Sequence, residues 1–417
     1  MRIFCPADIL IPPEEKLPKW SVVACDQYTS QPEYWQETAA IVGESPSCLH
    51  MILPECFLAE AEARIPRIHA EMAKYTTDGS LQQRVTDGFV LAERSTGLGQ
   101  RLGLICAADL EQYDFTGGKS LIRPTEQTIT ARLPARLAIR RNASIELSHV
   151  MLLMDDPLQS VIEPLYAKRS KLPMLYDFPL MQGGGHLRGW AVTGEEDKAA
   201  VLHALSALKS ALGPEPLLFA VGDGNHSLAA AKVRWEELKP TLSPEEQAHH
   251  PARFAMVEVE NIHDDALQFE PIHRLVTGVS GQSLMADWTL YCHQRGMDLS
   301  ESAGTSSDEQ VLAVVCAGFE ITAVIAHPEG PLPVSTLQSY LDDFLRRHPE
   351  AQIDYIHGED VLRQLASAPD AVGFLLPPLE KSALFQTIQS LGILPRKTFS
   401  MGHACEKRFY MECRPLR

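Results

Sequence analysis

The sequence lacks the features that mark membrane, disulfide-bonded and zinc-binding proteins. No apolar run approaches the roughly 18 residues needed to cross a bilayer, and the first residues contain no apolar core of a signal peptide. The nine cysteines are scattered and include no Cys-x-x-Cys pair, which excludes a disulfide framework or a zinc knuckle as the expected arrangement. These absences predict a cytoplasmic protein with reduced thiols, while its oligomeric state stays open.

Basic residues are also scarce. The chain has 37 Lys and Arg against 54 Asp and Glu, a formal net charge of −17, and no basic run interrupts this excess. Such a charge repels phosphate backbones and anionic membranes, so neither nucleic acid nor a membrane is an expected partner. A small anionic metabolite or a nucleotide is still an expected partner despite this net charge. A local cluster of cations and backbone N–H groups can bind it, because such a cluster acts within a Debye length of about 8 Å.

Short apolar runs alternate with helical patterns along the chain. The length of 417 residues favours two domains. The clearest helix is predicted over residues 195–212, and strands are predicted over residues 88–93, 103–108, 149–154, 217–221 and 254–259. A polar stretch at residues 277–283 indicates a boundary. We therefore expect an α+β (mixed α/β) fold with a main domain over 1–276 and a smaller α/β domain over 277–417 that ends in a basic tail.

The most informative segment joins an apolar run at residues 216–221 to an alanine-rich segment at 228–232. The pattern predicts a strand, a tight turn and a helix. The first N–H groups of a helix lack intrahelical partners and lie at its positive end, so this junction is suited to anions. The candidate ligand-binding residues of the turn are Gly222, Gly224, Asn225 and Ser227, and its candidate catalytic residues are Asp223 and His226.

Two interpretations of this turn stay open. In the functional one, Asp223 coordinates a metal or accepts a proton, and Asn225 and His226 contact phosphate oxygens. In the structural one, Asp223 or Asn225 caps the helix and His226 is an ordinary residue of its first turn. A helix terminus contributes only about 0.3–1 kcal/mol to binding an exposed anion, so a phosphate site must recruit cations from elsewhere.

Other segments supply candidate cations and acids. Arg123 and Glu126 share a loop fixed by Pro124, with Glu126 as a candidate base, and the arginines at 132, 136, 140 and 141 line one side of a predicted helix as a functional or merely solvated face. Cys25, beside an apolar run, is expected to be a small buried residue rather than a nucleophile. The remaining candidate ligand contacts are Asp26, Tyr28, His273, Arg274 and, in the basic tail, Lys397.

The order of these motifs resembles the family catalogued as domain of unknown function 1015. The resemblance rests on residues 20–28 with 32–35, 122–126, 222–227, 267–274 and 394–402. More remotely, the turn is similar to the Asp-Gly-His-His-Arg signature of ParB-like and sulfiredoxin-like proteins, a superfamily that includes nucleotide-binding partition proteins and free-serine kinases. That resemblance implies a ParB-like N-terminal core and a nucleotide or phosphate at the turn. The motif departs from it at Asn225 and at Ser227, which stands where the signature has an arginine.

Three functions follow as hypotheses. The first is a small-molecule phosphotransferase or nucleotide hydrolase that uses Mg²⁺ and a nucleotide, because phosphoryl transfer depends on positioning and on electrostatic stabilisation. The second is a metabolite-binding or regulatory protein without catalysis. The third, a metal-dependent hydrolase, requires at least three His, Asp or Glu ligands to converge near His226.

Overall fold

The computed structural model describes residues 3–301 and 308–416 and divides the chain into two compact units. Unit 1 comprises Met1–Gln268, Phe385–Gly392 and Met401–Arg417, and unit 2 comprises Phe269–Leu384 and Ile393–Ser400. Both units contain helices and sheets, which confirms the predicted mixed α/β class. In the described residues, no helix is both long enough and apolar enough to span a membrane, and no cysteine forms a disulfide.

The strands follow one another along the described chain as β1 (Phe4–Cys5), β2 (Ala7–Ile11), β3 (Gln82–Thr96), β4 (Gly99–Asp109), β5 (Ile122–Pro124), β6 (Ile145–Leu147), β7 (Met151–Met154), β8 (Met174–Pro179), β9 (His186–Val192), β10 (Phe219–Asp223), β11 (Phe254–Asn261), β12 (Phe269–Thr277), β13 (Asp298–Ser300), β14 (Gln310–Cys316), β15 (Phe319–Ala326), β16 (Gln352–His357), β17 (Ala371–Leu375), β18 (Phe399–Met401) and β19 (Cys413–Pro415). Each strand predicted from the sequence coincides with one of these.

The α-helices of the described residues are α1 (Leu17–Trp20), α2 (Pro32–Val42), α3 (Ala61–Tyr75), α4 (Leu133–Asn142), α5 (Glu163–Ala167), α6 (Glu195–Ser210), α7 (Asn225–Leu238), α8 (Pro244–His249), α9 (Gly281–Gln294), α10 (Pro333–Arg347), α11 (Glu359–Leu365) and α12 (Leu384–Leu391). The helix predicted over residues 195–212 is α6, which ends two residues earlier.

Unit 1 is built on a mixed sheet whose main path is β5, β10, β7, β11, β4, β3, β2, β19 and β6. Successive side chains of a strand point to opposite faces of the sheet. In the central strands of this sheet the side chains on both faces are buried. In β3, Val90 and Ala92 belong to one hydrophobic core, whereas Phe89 and Leu91 belong to the other. The sheet therefore lies between two apolar layers, which fixes the ends of β5, β10 and β7 where the candidate site lies.

Unit 2 has its own sheet, in the order β13, β15, β14, β17, β12 and β16, with β18 also paired to β12. The helices α9 and α10 supply Trp288, Tyr340 and Phe344, which share a core with Phe374 of β17. On the opposite face of the sheet, Leu375 belongs to a smaller core to which α11 contributes. Unit 2 thus buries its sheet on both sides independently of unit 1.

The division differs from the predicted boundary near residue 277 in two respects. The strand β12 belongs to unit 2 because it pairs with β16 and β17, so the break comes at residue 268. The end of the chain belongs to unit 1, because β19 inserts between β2 and β6, where Cys413 pairs with both Leu10 and Leu147. Residues 401–417 therefore belong to the unit that carries the turn, whereas Ile393–Ser400, which include Lys397, belong to unit 2.

Candidate functional site

The turn between β10 and α7 depends on a glycine in the left-handed conformation. Gly224 has φ of 75°, and a Cβ atom at this position would lie 2.8 Å from Val150 Cα. Gly224 is also the N-cap residue of α7, and no side chain caps the helix. The interpretation that Asp223 or Asn225 caps α7 is therefore wrong, and the positive end of the helix is left to the backbone.

Asp223 stabilises the turn and contacts a lysine from the tail. Its Oδ1 accepts a hydrogen bond of 2.8 Å from the N–H of Gly224. Its Oδ2 lies 3.3 Å from Nζ of Lys407, and both side chains are largely buried. The basic tail therefore reaches the turn through Lys407, a residue that was not among the predicted ligand contacts.

Asn225 ties the turn to the loop that carries Glu126. Its Nδ2 donates hydrogen bonds of 3.0 Å to the backbone oxygen of Glu126 and to Oγ1 of Thr128, while its Oδ1 accepts one from the hydroxyl of Tyr113. The two segments meet because β5 and β10 are parallel neighbours and end at the same edge of the sheet. The backbone of Glu126 thus lies beside the turn.

His226 is anchored to the same loop. Its Nε2 accepts a hydrogen bond of 3.1 Å from the backbone N–H of Ile129, so Nδ1 carries the proton of the neutral ring. Gly222 packs against the tail, because an added Cβ atom would lie 2.7 Å from Sδ of Met401. Strand, loop and tail consequently converge on the first turn of α7.

Arg123 does not approach the turn. It is buried, and its guanidinium donates to the backbone oxygens of Ser120 and Pro216. Pro216 precedes β10, whereas the turn follows that strand, so the side chain lies at the opposite end of β10. Arg123 therefore stabilises the entry to the strand and does not replace the arginine missing at Ser227.

The candidates His273, Arg274 and Lys397 belong to unit 2. Arg274 is fully buried and donates to backbone oxygens of Arg396 and Lys397, and Nδ1 of His273 accepts from the N–H of Leu376. Burial lowers the pKa of His273, and Glu359 only partly offsets this effect. Both side chains therefore serve to hold unit 2 together, while Lys397 lies exposed on its surface.

A second cluster in unit 1 links Asp26 to two residues that the sequence analysis did not select, His149 and Tyr410. The hydroxyl of Tyr410 lies 2.6 Å from Nδ1 of His149, and Nε2 of His149 lies 3.6 Å from Oδ2 of Asp26. Burial alone would raise the pKa of Asp26, but His149, Gln27 and Arg136 outweigh it and hold that pKa well below its usual range. Tyr28 is not part of this cluster; its ring stacks on Tyr34.

A cavity of about 110 Å³ adjoins this cluster. Its wall is mainly aliphatic, and Ser227 and Ala230 of α7 contribute to it together with His149 and Tyr410. Cys25 also lines it, but burial raises the pKa of this thiol to about 12, so Cys25 is a buried thiol and not a nucleophile. The first turn of α7 therefore has the Glu126 loop on one side and this cavity on another.

Histidine 149 could not be recognised as a site residue in the sequence, where it stands at the start of a predicted strand. Tyr410 lies 261 positions further along the chain. Arg136 was expected on a solvated face or in a functional row, yet its side chain is only 12% exposed and pairs with Glu55. The one available signal was Asp26, a carboxylate at the end of an apolar run.

A family model described as "Protein of unknown function (DUF1015)" matches residues 5–342. The chain belongs to the DUF1015 family. This match covers the 222–227 turn, the Glu126 loop and His149, whereas Lys407 and Tyr410 lie beyond its end. The family description names no reaction.

Several solved structures are similar to this DUF1015 chain. A free serine kinase in complex with AMP has 12% identity and a TM-score of 0.39 over 75% of this chain and 92% of that chain. SbnI from Staphylococcus aureus, with a C-terminal truncation, has 9% identity and a TM-score of 0.38 over 75% and 87%. A conserved hypothetical protein from Pyrococcus furiosus has 11% identity and a TM-score of 0.35 over 74% and 90%. No curated protein matches the chain significantly.

Proposed function

We propose that this protein binds a phosphate-bearing small molecule, a nucleotide or a phosphorylated metabolite, at the 222–227 turn and transfers or hydrolyses its phosphoryl group. The observation that carries the proposal is the start of α7, a 14-residue helix with a left-handed glycine at its N-cap and no capping side chain. The N–H of Ser227 donates back to the carbonyl oxygen of Gly224 at 3.0 Å, and the positive end of the helix favours an anion as its ligand. The remote ParB-like resemblance of the turn is part of this proposal.

The charge around the turn supports an anion more than the net charge of the chain suggests. Lys407 brings a cation to within 3.3 Å of Asp223, and it substitutes for the arginine that Ser227 replaces in the remote signature. An ion pair at a partly buried site is worth more than the 0.3–1 kcal/mol of the helix terminus alone. On binding, Lys407 contacts the phosphate, while Asp223 keeps its hydrogen bond to Gly224.

Glu126 is the carboxylate that we assign to the chemistry. Its loop is held to the turn by Asn225, whereas Asp223 is already engaged with Lys407. Mg²⁺ commonly binds through one or two carboxylates together with substrate phosphates, and Glu126 fits that role. The third hypothesis, a metal-dependent hydrolase, finds no support in the described part of the chain, where no group of three or more His, Cys, Asp or Glu residues is placed to hold a metal.

The proposal is tested by placing a negative charge at the start of α7. His226→Glu puts a carboxylate at the second helical residue, where it repels phosphate but is favourable to the helix itself. We expect the affinity for ADP, ATP or CTP, measured calorimetrically with and without Mg²⁺, to fall at least about tenfold. The matched control is Gln282→Glu, at the second residue of α9, which is also 14 residues long but is capped by Ser280.

The control variant should bind as the wild type does. The proposal fails if none of these nucleotides binds, or if His226→Glu binds them as tightly as Gln282→Glu.

A second candidate function, ligand binding without catalysis, is favoured by one observation. Both candidate catalytic groups of the turn itself are engaged, Asp223 with Lys407 and Nε2 of His226 with the N–H of Ile129. Glu126→Gln separates the two functions, because it abolishes turnover of a bound nucleotide against a panel of hydroxylated metabolites only if the protein is a phosphotransferase. Absence of turnover in the wild type, with binding intact, favours the second candidate.

A further inference from the structure

We propose that Asp26, His149 and Tyr410 form a proton relay, and that the cavity beside it binds a small, neutral, largely apolar molecule carrying one hydroxyl group. This inference rests on the proposed function, for which the hydroxyl would be the acceptor of the phosphoryl group. It names a second binding site in unit 1, distinct from the phosphate site at the turn but sharing the first turn of α7 through Ser227.

The hydrogen bonds define the direction of the relay. The oxygen of Tyr410 lies 3.5 Å from the backbone N–H of Cys25, which donates to it. The hydroxyl proton of Tyr410 is then directed to Nδ1 of His149 at 2.6 Å, which leaves the ring proton on Nε2. That proton faces Oδ2 of Asp26 at 3.6 Å. The order is carboxylate, imidazole and hydroxyl, the order in which an acid, a base and a reacting hydroxyl are arranged for proton transfer.

The imidazole of His149 is buried, yet one of its ring nitrogens makes no hydrogen bond in the described residues. His149 is 2% exposed, and its Nε2 has no hydrogen-bond partner within residues 3–301 and 308–416. Leaving a buried polar atom unsatisfied is destabilising, so such atoms in native structures call for an explanation. A relay explains it, because the imidazolium formed during proton transfer would shorten the contact with the Asp26 carboxylate.

The wall of the cavity determines the class of the ligand. The charged side chains that line it are paired with one another, Arg136 with Glu55 and Arg140 with Glu146. A charged ligand would have to break one of these pairs, which is costly at buried sites. The rest of the wall is mostly aliphatic. A neutral molecule with an apolar body is therefore the ligand that the wall accommodates.

The volume limits the size of that ligand. A dry apolar cavity of about 150 Å³ accommodates benzene, and this cavity measures about 110 Å³. A molecule with about four carbon atoms is the appropriate size. Its single polar group finds the hydroxyl of Tyr410, the one relay atom that donates its proton onward to His149.

The proton step balances in atoms and charge. As the ligand oxygen attacks the phosphorus of a phosphate anhydride bound at the turn, its proton passes to the oxygen of Tyr410, and the proton of Tyr410 passes to Nδ1 of His149. The new oxygen–phosphorus bond forms while the bond to the leaving phosphate breaks. The imidazolium is stabilised by Asp26, whose side chain is 21% exposed and from which the proton reaches solvent.

Two isomeric probes test the proposal on the wild-type protein. 1-Butanol and methyl propyl ether have the same atoms, but only the alcohol has a proton to give to Tyr410. We expect the alcohol to bind about three- to tenfold more tightly, the equivalent of one hydrogen bond. Binding is followed by NMR of the full chain labelled with ¹⁵N-histidine, in which the signals of His149 shift with the alcohol. Equal affinities, or no binding of either probe, overturn the proposal.

Variants identify the residue that discriminates between the alcohol and the ether. Tyr410→Phe should bind both probes equally, and Ala135→Leu should bind neither because the added side chain fills the cavity. The matched control is Tyr75→Phe, which removes the hydroxyl from a similar Tyr–His pair that does not line the cavity and should leave the preference for the alcohol intact. Preference for the alcohol that persists in folded Tyr410→Phe overturns the relay.

The phosphate site and the cavity are tested separately. Alcohol binding is measured without nucleotide, and nucleotide binding is measured without alcohol in the wild type and in His226→Glu. If the alcohol preference is found and no nucleotide binds, the cavity assignment stands and the proposed function fails. If nucleotides bind but the alcohol is not preferred, the proposed function stands and the relay fails.

Discussion

Unit 1 contains two tyrosine–histidine pairs with the same local geometry. In one, the hydroxyl of Tyr75 lies 2.7 Å from Nδ1 of His50 and accepts from the N–H of Ser47. In the other, the hydroxyl of Tyr410 lies 2.6 Å from Nδ1 of His149 and accepts from the N–H of Cys25. Two tyrosine hydroxyls of unit 1 therefore make the same two contacts, one with a histidine Nδ1 and one with a backbone N–H.

The pairs differ at the far side of the imidazole. His149 is buried and its Nε2 faces the carboxylate of Asp26, whereas His50 is only partly buried and burial lowers its pKa. The Tyr410 pair lines the mainly aliphatic cavity of about 110 Å³, whereas the Tyr75 pair lines a different and larger one of about 850 Å³. A Tyr–His hydrogen bond is therefore a candidate relay only where a carboxylate also faces the far nitrogen of the imidazole, as Asp26 faces Nε2 of His149.

Removing the imidazole is expected to have the largest effect on this comparison. His149→Leu leaves the hydroxyl of Tyr410 and the carboxylate of Asp26 without their partner in a buried site, at a cost of about 3 kcal/mol. His50→Leu costs about 1 kcal/mol, because water replaces the lost partner of Tyr75 at a partly buried site. The free energies of unfolding are compared by urea titration of the full chain with tryptophan fluorescence.

Equal losses of stability in these two histidine variants would break the distinction between the pairs. The slope of the free energy of unfolding against urea concentration must be unchanged in both variants. A changed slope indicates that the unfolding transition is no longer the same one.

Removing the carboxylate is expected to have the next largest effect, with a defined dependence on pH. The folded pKa of Asp26 lies below its usual value of 3.8, so its contribution to stability is fully present above about pH 4 and is lost as the pH falls. Asp26→Asn should therefore cost about 2 kcal/mol at pH 7, and the urea midpoints of variant and wild type should converge toward pH 3.

The matched control for this variant is Glu71→Gln, which removes the acid with the larger raising effect on the pKa of His50 in the other pair. Glu71 pairs with Lys74 on the surface, so its loss should cost less than about 0.5 kcal/mol. A gap between Asp26→Asn and wild type that stays constant from pH 7 to pH 3 contradicts the assignment of a depressed pKa to Asp26.

The turn was accessible to sequence reasoning, whereas the relay was not. The apolar run, the two glycines and the alanine-rich segment are local signals. They predicted the turn, and they predicted the bounds of β10 and the start of α7 to within about three residues. The contact between Asn225 and the Glu126 loop follows from two neighbouring parallel strands. By contrast, Asp26, His149 and Tyr410 meet only because the tail returns to unit 1, and no local pattern records that contact.

The tail itself shows why this return was missed. The strand β19 has three residues, too few for an alternating pattern, and its sequence Cys413, Arg414 and Pro415 has no strong preference for a strand. Its place between β2 and β6 is supported by buried ion pairs, since Arg414 contacts Glu146. Long-range partners of this kind determine the position of Lys407 and Tyr410, and a single sequence does not reveal them.

The smallest expected effect concerns the imidazole of His50 in the Tyr75 pair. Because burial lowers the pKa of His50 from its usual value of 6.5, the unfolded state takes up a proton more readily than the folded state. The stability linked to His50 is therefore fully present above pH 6.5 and declines as the pH falls below that value. His50→Gln cannot titrate, so the difference in urea midpoint between wild type and variant should narrow from pH 7.5 to pH 5.5. A difference that widens over this range would mean that the His50 imidazolium is stabilised in the folded protein, and the two pairs would then differ less than their surroundings indicate.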